Sequence, residues 1–437
     1  MAQLETLKTQ LGKPYFDLEF LLNCFREVLT ENNEPELAQC IPWISGSADY
    51  ANISFNQKHF HLYSVCFQLL NLAETNGAVQ NRRKNEEKNT LSSINGLWAN
   101  SLDILKKNGF NEGQNSSVFD EISVQPVLTA HPTEAKRPVI LKKYRELYLL
   151  LVQRENSMYN TFELGENRNE IKRVITSIWF IDEYYMEKPK VETELDNVIH
   201  YFLNVFPEII NLLNRRLIQA WEFSGFESEN LVEKNNFPQL RFGTWIGGDR
   251  DGHPLVTADV TQNALLKLRL NAFLILKDEL LKLSENLSFY CDIQQLPAPL
   301  SERFKEIIAD LGSDSKIPVT ANRHEAFKLF VLLLIEKLPI NIGKAHSFEL
   351  IDKKGSYQQS GQLIADLKCL KTALKQHGVA VLANHAVNQT MQIVQTFGFH
   401  LAELDIRQNS NYYKKAFIQI INESKSGNKI AEDLSDT

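Results

Sequence analysis

Apolar side chains recur along most of this chain at spacings of three and four, the period of a helix with one buried face. Leu18, Leu21, Leu22, Phe25, Val28 and Leu29 share such a face, with Glu19, Asn23, Arg26 and Glu27 opposite. The leucine-rich run from Thr261 to Leu283 carries Lys267, Arg269, Lys277 and Asp278 between its apolar positions. Leu363, Leu367, Leu370 and Leu374 repeat in the same way, and Gly378 follows as a helix stop. We read these stripes as core contacts and assign them no chemistry. Residues 77–93 and 340–362 have few apolar anchors and read as surface loops.

Three segments break the helical pattern and read as strands. Val124–Ala130 leads into His131, Pro132, Thr133 and Glu134. Leu240–Ile246 leads into Gly247, Gly248, Asp249, Arg250, Asp251 and Gly252. His400–Ile406 leads into Arg407, Gln408 and Asn409. Each extended segment ends in groups suited to binding or proton transfer. Strands separated by helices, with function at their C-terminal ends, predict a mainly α chain with elements of an α/β barrel. About eight strands are needed to close a barrel, and three are found.

Composition narrows the function classes. Hydrophobic residues make up 43% and charged residues 23%, as in ordinary globular proteins. The net charge of −7 argues against a general nucleic-acid binder, and the basic run Arg82–Lys84 is followed by Glu86 and Glu87. Five scattered cysteines with no CxxC pair predict neither a zinc site nor a disulfide framework, and fit reduced thiols in the cytoplasm. The longest apolar run, Leu329–Ile335, is too short to cross a bilayer, and the N-terminus has no signal-peptide pattern.

The strand ends carry the candidate chemistry. His131 suits proton transfer because an unperturbed imidazole titrates near ~6.5, although a histidine bonded to a neighbouring loop is the plainer alternative. The HxxE spacing to Glu134 lacks a second histidine, which excludes a metalloprotease site. Arg407 offers a planar fork for phosphate or carboxylate oxygens, or a structural ion pair. Asp249, Asp251 and Gly252 resemble part of a calcium loop, but Ala258 stands where a bidentate glutamate is required. An anion-binding strand end, or a structural knot of Arg250 with Asp249 or Asp251, remains.

Together, VLTAHPTE (127–134), FGTWIGGDRDGHPLVT (242–257) and LAELDIRQNS (401–410) resemble motifs of phosphoenolpyruvate carboxylase, in that family's order, and WFIDEYYMEKP (179–189) is weakly similar to another. The resemblance implies carboxylation of phosphoenolpyruvate by bicarbonate to oxaloacetate and phosphate, with Mg2+ or Mn2+, in a cytoplasmic tetramer. It implies that His131 takes a proton from carboxyphosphate and that Arg407 stabilises oxyanion charge. Trp245 matches a residue of the shielded pocket, with Gly247, Gly248 and Arg250 shaping the substrate rim and Asp249, Asp251 and Gly252 supporting it. The sequence departs from the pattern at Pro138 (commonly arginine), His253 (asparagine) and Asn409 (glutamate).

Family members are about twice as long, and their metal carboxylates and a mobile glycine-rich loop lie in the C-terminal half, of which no FHGRGG-like segment is present here. The expectation is therefore an N-terminal half, inactive alone, with no metal ligands of its own and a separate C-terminal half as a possible partner. Its expected layout is one incomplete domain over 1–437. A helical region spans 1–120, helices interleave with barrel strands over 121–411, and a helix and polar tail occupy 412–437. A non-catalytic relic or regulatory and oligomerisation module retaining the fold is the alternative. No nucleic-acid or membrane partner is expected.

Overall fold

In this computed structural model the described residues are 2–45, 55–129, 137–181, 190–251, 255–312, 324–342, 348–351 and 353–424. His131, Gly252 and His253, and most of the 179–189 motif, lie outside them. The protein is mainly helical. It divides into two compact units, one of residues 1–100 and 131–189, the other of residues 101–130 and 190–437.

The first unit is built on long amphipathic helices. Helix Lys13–Glu31 opens with proline in its first turn and buries Leu18, Leu21, Leu22, Phe25, Val28 and Leu29, the face expected from spacing. Its core is shared with helices Gln57–Asn89, Pro138–Gln153 and Thr161–Phe180. The 77–93 segment is not a loop: helix Gln57–Asn89 runs through most of it. Arginine, lysine, glutamate and glutamine are good helix formers, and Arg82 pairs with Glu86 one turn on. Few apolar anchors signal a solvated helix there, not irregular chain. Gly77 sits inside this helix because a Cβ would lie 2.3 Å from Pro14 Cγ.

The second unit is organised around helix Ala258–Asn286, whose Thr257 N-cap accepts from the Val260 N–H. Helices Val191–Asn204, Ala326–Glu336, Ser360–Gln376 and Asn388–Phe397 contribute to one core with it. The apolar 329–335 run is buried within Ala326–Glu336, and no helix among the described residues is long and apolar enough to cross a membrane. The 340–362 segment is more ordered than expected, because β-strands Ile340–Ile342 and Phe348–Leu350 pair antiparallel before the next helix starts at Ser360.

All three function-bearing segments contain strands, each shorter than its sequence pattern. We number the relevant strands β1 (Ser123–Val124), β2 (Val127–Leu128), β3 (Gln239–Leu240), β4 (Gly243–Thr244) and, after the antiparallel pair β5 (Ile340–Ile342) and β6 (Phe348–Leu350), β7 (Glu403–Leu404). β1 pairs with β3, while β2, β4 and β7 form a parallel sheet in that order, aligning Val127, Gly243 and Glu403. Parallel pairing across such long insertions requires crossover connections, which the intervening helices supply.

Phe242 fixes the base of β4. Its ring stacks on Phe206 at 4.4 Å and on Phe397 at 5.7 Å, and meets Phe202 edge-on at 5.4 Å. Beyond β4 the chain turns at Gly247, where φ is +86°, with the Gly248 and Asp249 N–H groups donating to the Trp245 carbonyl. A Cβ on Gly247 would lie 2.6 Å from the Ala264 Cβ; one on Gly248 would lie 2.3 Å from the Asp405 carbonyl oxygen. Both glycines are thus required by close approach as well as by the turn.

Elsewhere in the unit, burial pushes the Lys371 amine down to about 8, with nearby Lys375 adding to the effect, and the amine donates to the Glu233 carbonyl.

Three outcomes follow from this packing. Phe242→Ala should cost about 3–5 kcal/mol in urea unfolding, because it empties the centre of the ring stack. Gly248→Ala, which drives a methyl group into backbone, should cost about 1–3 kcal/mol; a neutral result would mean that β4 and β7 are less tightly apposed than described. For Lys371 the unfolded chain holds its proton up to about 10.4 and the folded chain releases it near 8. The unfolded state therefore binds more protons across that window, and stability should rise with pH through it. Lys371→Met should flatten that rise, read as urea midpoints at pH 7.5 and 10.

Candidate functional site

The C-terminal ends of β4 and β7 bring two arginines together. The backbone ladder runs from Glu403 N–H to Phe242 O, through Asp405 N–H to Thr244 O, to Arg407 N–H on Gly248 O at 3.1 Å. Arg250 N–H then donates to Arg407 O at 2.9 Å, and Asp249 and Arg407 form a parallel bridge. Arg250 and Arg407, far apart in sequence, are held as neighbours by main chain.

Trp245 supplies the next layer. The Arg407 guanidinium lies over its ring, 3.4 Å from the centroid, as a cation–π contact. Asp405 is 3.6 Å from Arg407 Nη2, but both side chains are nearly half exposed, and such a pair contributes only ~0–1 kcal/mol. The Trp245 indole N–H is buried with no hydrogen-bond partner among the described residues. An orphaned buried donor beside a guanidinium face marks a place for an acceptor.

Of the two alternatives left for Arg250, the knot with Asp249 or Asp251 does not form among the described residues. Arg250 Nη2 donates to Thr261 Oγ1 at 2.8 Å, and its Nε is buried without a partner among the described residues. The Asp249 carboxylate instead accepts from the Asp251 N–H at 3.2 Å, closing a local turn, while Asp251 itself is exposed. Thr261 was not singled out from sequence, where it opens a leucine-rich helical run; a threonine in the first turn of a helix after a glycine-rich strand end is the signal that could have marked it.

Three further positions have local explanations. Ile406 is 44% exposed, since regular pairing ends at Leu404. Asn409 is accounted for by helix initiation: its side chain accepts from the Asn411 N–H as N-cap of helix Ser410–Glu423. Pro138 likewise begins its helix, a position where the missing N–H costs nothing. The roles expected of His131 and Gly252 fall on residues outside those described.

A cavity of about 470 Å3 elsewhere in this unit is lined by Arg303, Lys337, Tyr357 and Asp366 and shares no residue with the strand ends. Its polar groups are largely committed to one another. Arg303 donates twice to Asp366, Tyr357 donates to the same carboxylate at 2.6 Å, and Lys337 pairs with Asp310. Burial, with Asp366 beside it, drives the Tyr357 hydroxyl well above the usual phenol range. We therefore place the chemistry at the strand ends, where donors are unsatisfied. No group of three or more His, Cys, Asp or Glu side chains among the described residues could hold a metal ion. Asp249 accepts from the Asp251 N–H and Asp405 lies against Arg407, so these strand-end carboxylates do not gather into a ligand set for Mg2+ or Mn2+.

Comparison with known proteins gives the family. A family model for phosphoenolpyruvate carboxylase matches residues 5–435. A phosphoenolpyruvate carboxylase of Methylorubrum extorquens is 29% identical over 402 residues, covering 90% of this chain and 42% of that protein. One from Roseiflexus castenholzii is 30% identical over 430 residues, covering 95% and 44%. One from Rhodopseudomonas palustris (strain BisB5) is 27% identical over 431 residues, covering 96% and 44%. The chain spans less than half the length of these curated relatives. With a match over almost all of its residues, the chain belongs to the phosphoenolpyruvate carboxylase family.

Proposed function

We propose that residues 1–437 supply one wall of an active site that joins bicarbonate to phosphoenolpyruvate, giving oxaloacetate and phosphate. The observation that carries this reading is the pairing of Arg407 and Arg250 at parallel strand ends, with the Arg407 charge seated on Trp245. A phosphorylated carboxylate needs planar donors at a site whose other faces exclude water. Arg407 and Arg250 provide the donors, and the Trp245 ring provides an apolar face.

In the proposed reaction a bicarbonate oxygen attacks phosphorus, and the bond from phosphorus to the enol oxygen breaks. Carboxyphosphate and the enolate of pyruvate form. His131 takes the carboxyphosphate proton, carbon dioxide and phosphate separate, and the enolate carbon bonds to carbon dioxide. Arg407 stabilises the oxyanion charge that grows during transfer, an effect strengthened where water is excluded. Gly247 and Gly248 admit the backbone turn that aims both arginines, while Asp249, Asp251 and Gly252 shape the rim. Mg2+ or Mn2+, as the family chemistry implies, would be held by residues other than those described, and no step is assigned to it.

The parallel strands would be part of an α/β barrel completed by further chain, with 1–437 an incomplete domain of a cytoplasmic tetramer. The five cysteines, none in a disulfide, are in keeping with a reducing compartment.

Oxaloacetate formation from phosphoenolpyruvate and bicarbonate with Mg2+ tests the proposal. Residues 1–437 alone should show no turnover, and addition of the C-terminal remainder of a family member should restore it. In that complemented enzyme Arg407→Gln should lower kcat/KM about 100-fold or more. His131→Ala should lower kcat by about 100- to 10,000-fold. Full activity in either variant would remove that residue from the mechanism, and robust turnover by 1–437 alone would refute the shared wall.

A further inference from the structure

The geometry points to Thr261 as a positioning residue that anchors Arg250 through a neutral oxygen, so that the arginine keeps its charge for an incoming phosphate or carboxylate. The inference rests on the strand-end reading above and adds a residue to it. Thr261 is 7% exposed, and its hydroxyl stands between two parts of the glycine-rich turn. A hydroxyl has one hydrogen and two acceptor positions. The Gly247 carbonyl lies 2.7 Å from Oγ1, closer than the Thr257 carbonyl at 3.1 Å, so the proton goes to Gly247. The oxygen is then left to accept from Arg250 Nη2 at 2.8 Å. One side chain thereby fixes both the turn and the guanidinium that follows it.

The choice of anchor has an electrostatic consequence. A carboxylate in the place of Thr261 would hold the guanidinium equally well and would cancel its charge. No ion pair to Arg250 forms among the described residues, and its buried Nε has no hydrogen-bond partner there. Through Arg250 N–H on Arg407 O, any shift in the turn also moves Arg407. Thr261 thus acts on anion binding through Arg250 and touches no substrate itself.

Titrating inorganic phosphate into the 1–437 chain at pH 7.5 tests this with isosteric variants. The parent chain should bind phosphate saturably. Thr261→Asn, which supplies a neutral donor and acceptor, should retain affinity within about threefold. Thr261→Asp should bind about tenfold more weakly or worse, because it keeps the acceptor for Arg250 and cancels its charge; lacking a proton for the Gly247 carbonyl, it should also melt below the parent. Arg250→Gln should show a similar loss, and Thr261→Asp combined with Arg250→Gln should bind no more weakly than Arg250→Gln alone.

Equal affinity of the Asn and Asp variants, or additive losses in the double variant, would overturn the inference. Absence of saturable phosphate binding by the parent chain would overturn it as well. If the Asp variant does not fold, Thr261→Ser and Thr261→Val test the anchor itself: serine should bind like the parent and valine weakly, and equal affinities overturn the role. The carboxylase reading stands or falls separately, on oxaloacetate formation by the Arg407 and His131 variants.

Discussion

The close approach of Gly248 to the Asp405 carbonyl sets the geometry of the whole strand-end region. With no Cβ in the way, the chain leaving β4 stays in register with the chain leaving β7 beyond the last regular strand residue. The ladder can then continue from Asp405 on Thr244 to Arg407 on Gly248 and Arg250 on Arg407. Each such bond contributes only ~0.5–1.5 kcal/mol net. Their importance lies in direction, since they decide that two arginines separated by most of a domain's length emerge side by side. From behind, Ala264 leaves no room for a Cβ on Gly247, and Thr261 ties its carbonyl to the 258–286 helix.

Several arginines elsewhere in the protein are held by carboxylates instead, although Arg26 donates to the Ser45 carbonyl and Asn23 Oδ1 and Arg154 lies over the Phe20 ring. Arg303 is clamped by Asp366 and Glu306, which hold it above its usual range. Arg168 donates to Glu27, and Arg173 to Glu146 and Glu170. Those guanidinium groups are neutralised by carboxylates and serve the fold. Arg250 rests on a hydroxyl and Arg407 on an aromatic face, with the half-exposed Asp405 carboxylate 3.6 Å from Arg407. Neutral supports cost little desolvation of an opposing charge and leave the positive potential unspent. That arrangement suits a site awaiting an anion, and it would be wasteful in a structural ion pair.

Much of this was readable in the sequence because it rests on local rules. The helical stripes at 18–29, 261–283 and 363–374 follow from period alone, and the strands were marked by apolar runs ending in glycine or charge. Residues 77–89 stay helical without a continuous apolar face because intrinsic propensity, a local signal that the apolar pattern does not carry, outweighs the missing stripe. Other features depend on which elements meet. The support of Arg250 by Thr261 is a contact across a turn, and sequence proximity favoured Asp249 or Asp251 instead. The stacking of Arg407 on Trp245 requires the order β2-β4-β7, which only the assembled sheet provides.

The approach to β7 shows how much the unit spends on this arrangement. Leu401 adopts φ +67°, and the Ala402 N–H donates to the His400 carbonyl two residues back, closing a γ-turn immediately before the strand. A buried leucine in that backbone region costs roughly 1–3 kcal/mol. Its side chain is 1% exposed within the main core, and burial of a leucine stabilises by ~1.5–3 kcal/mol, enough to hold the turn. The Phe206–Phe242–Phe397 stack holds the facing strand in the same core. Both strands that carry the arginines are therefore fixed from their bases by packing, and the strain at Leu401 cannot relax without disturbing that core. A site preorganised in this way need not reorganise its donors as negative charge shifts between oxygens, which is the condition under which fixed charges assist transfer of a phosphoryl group.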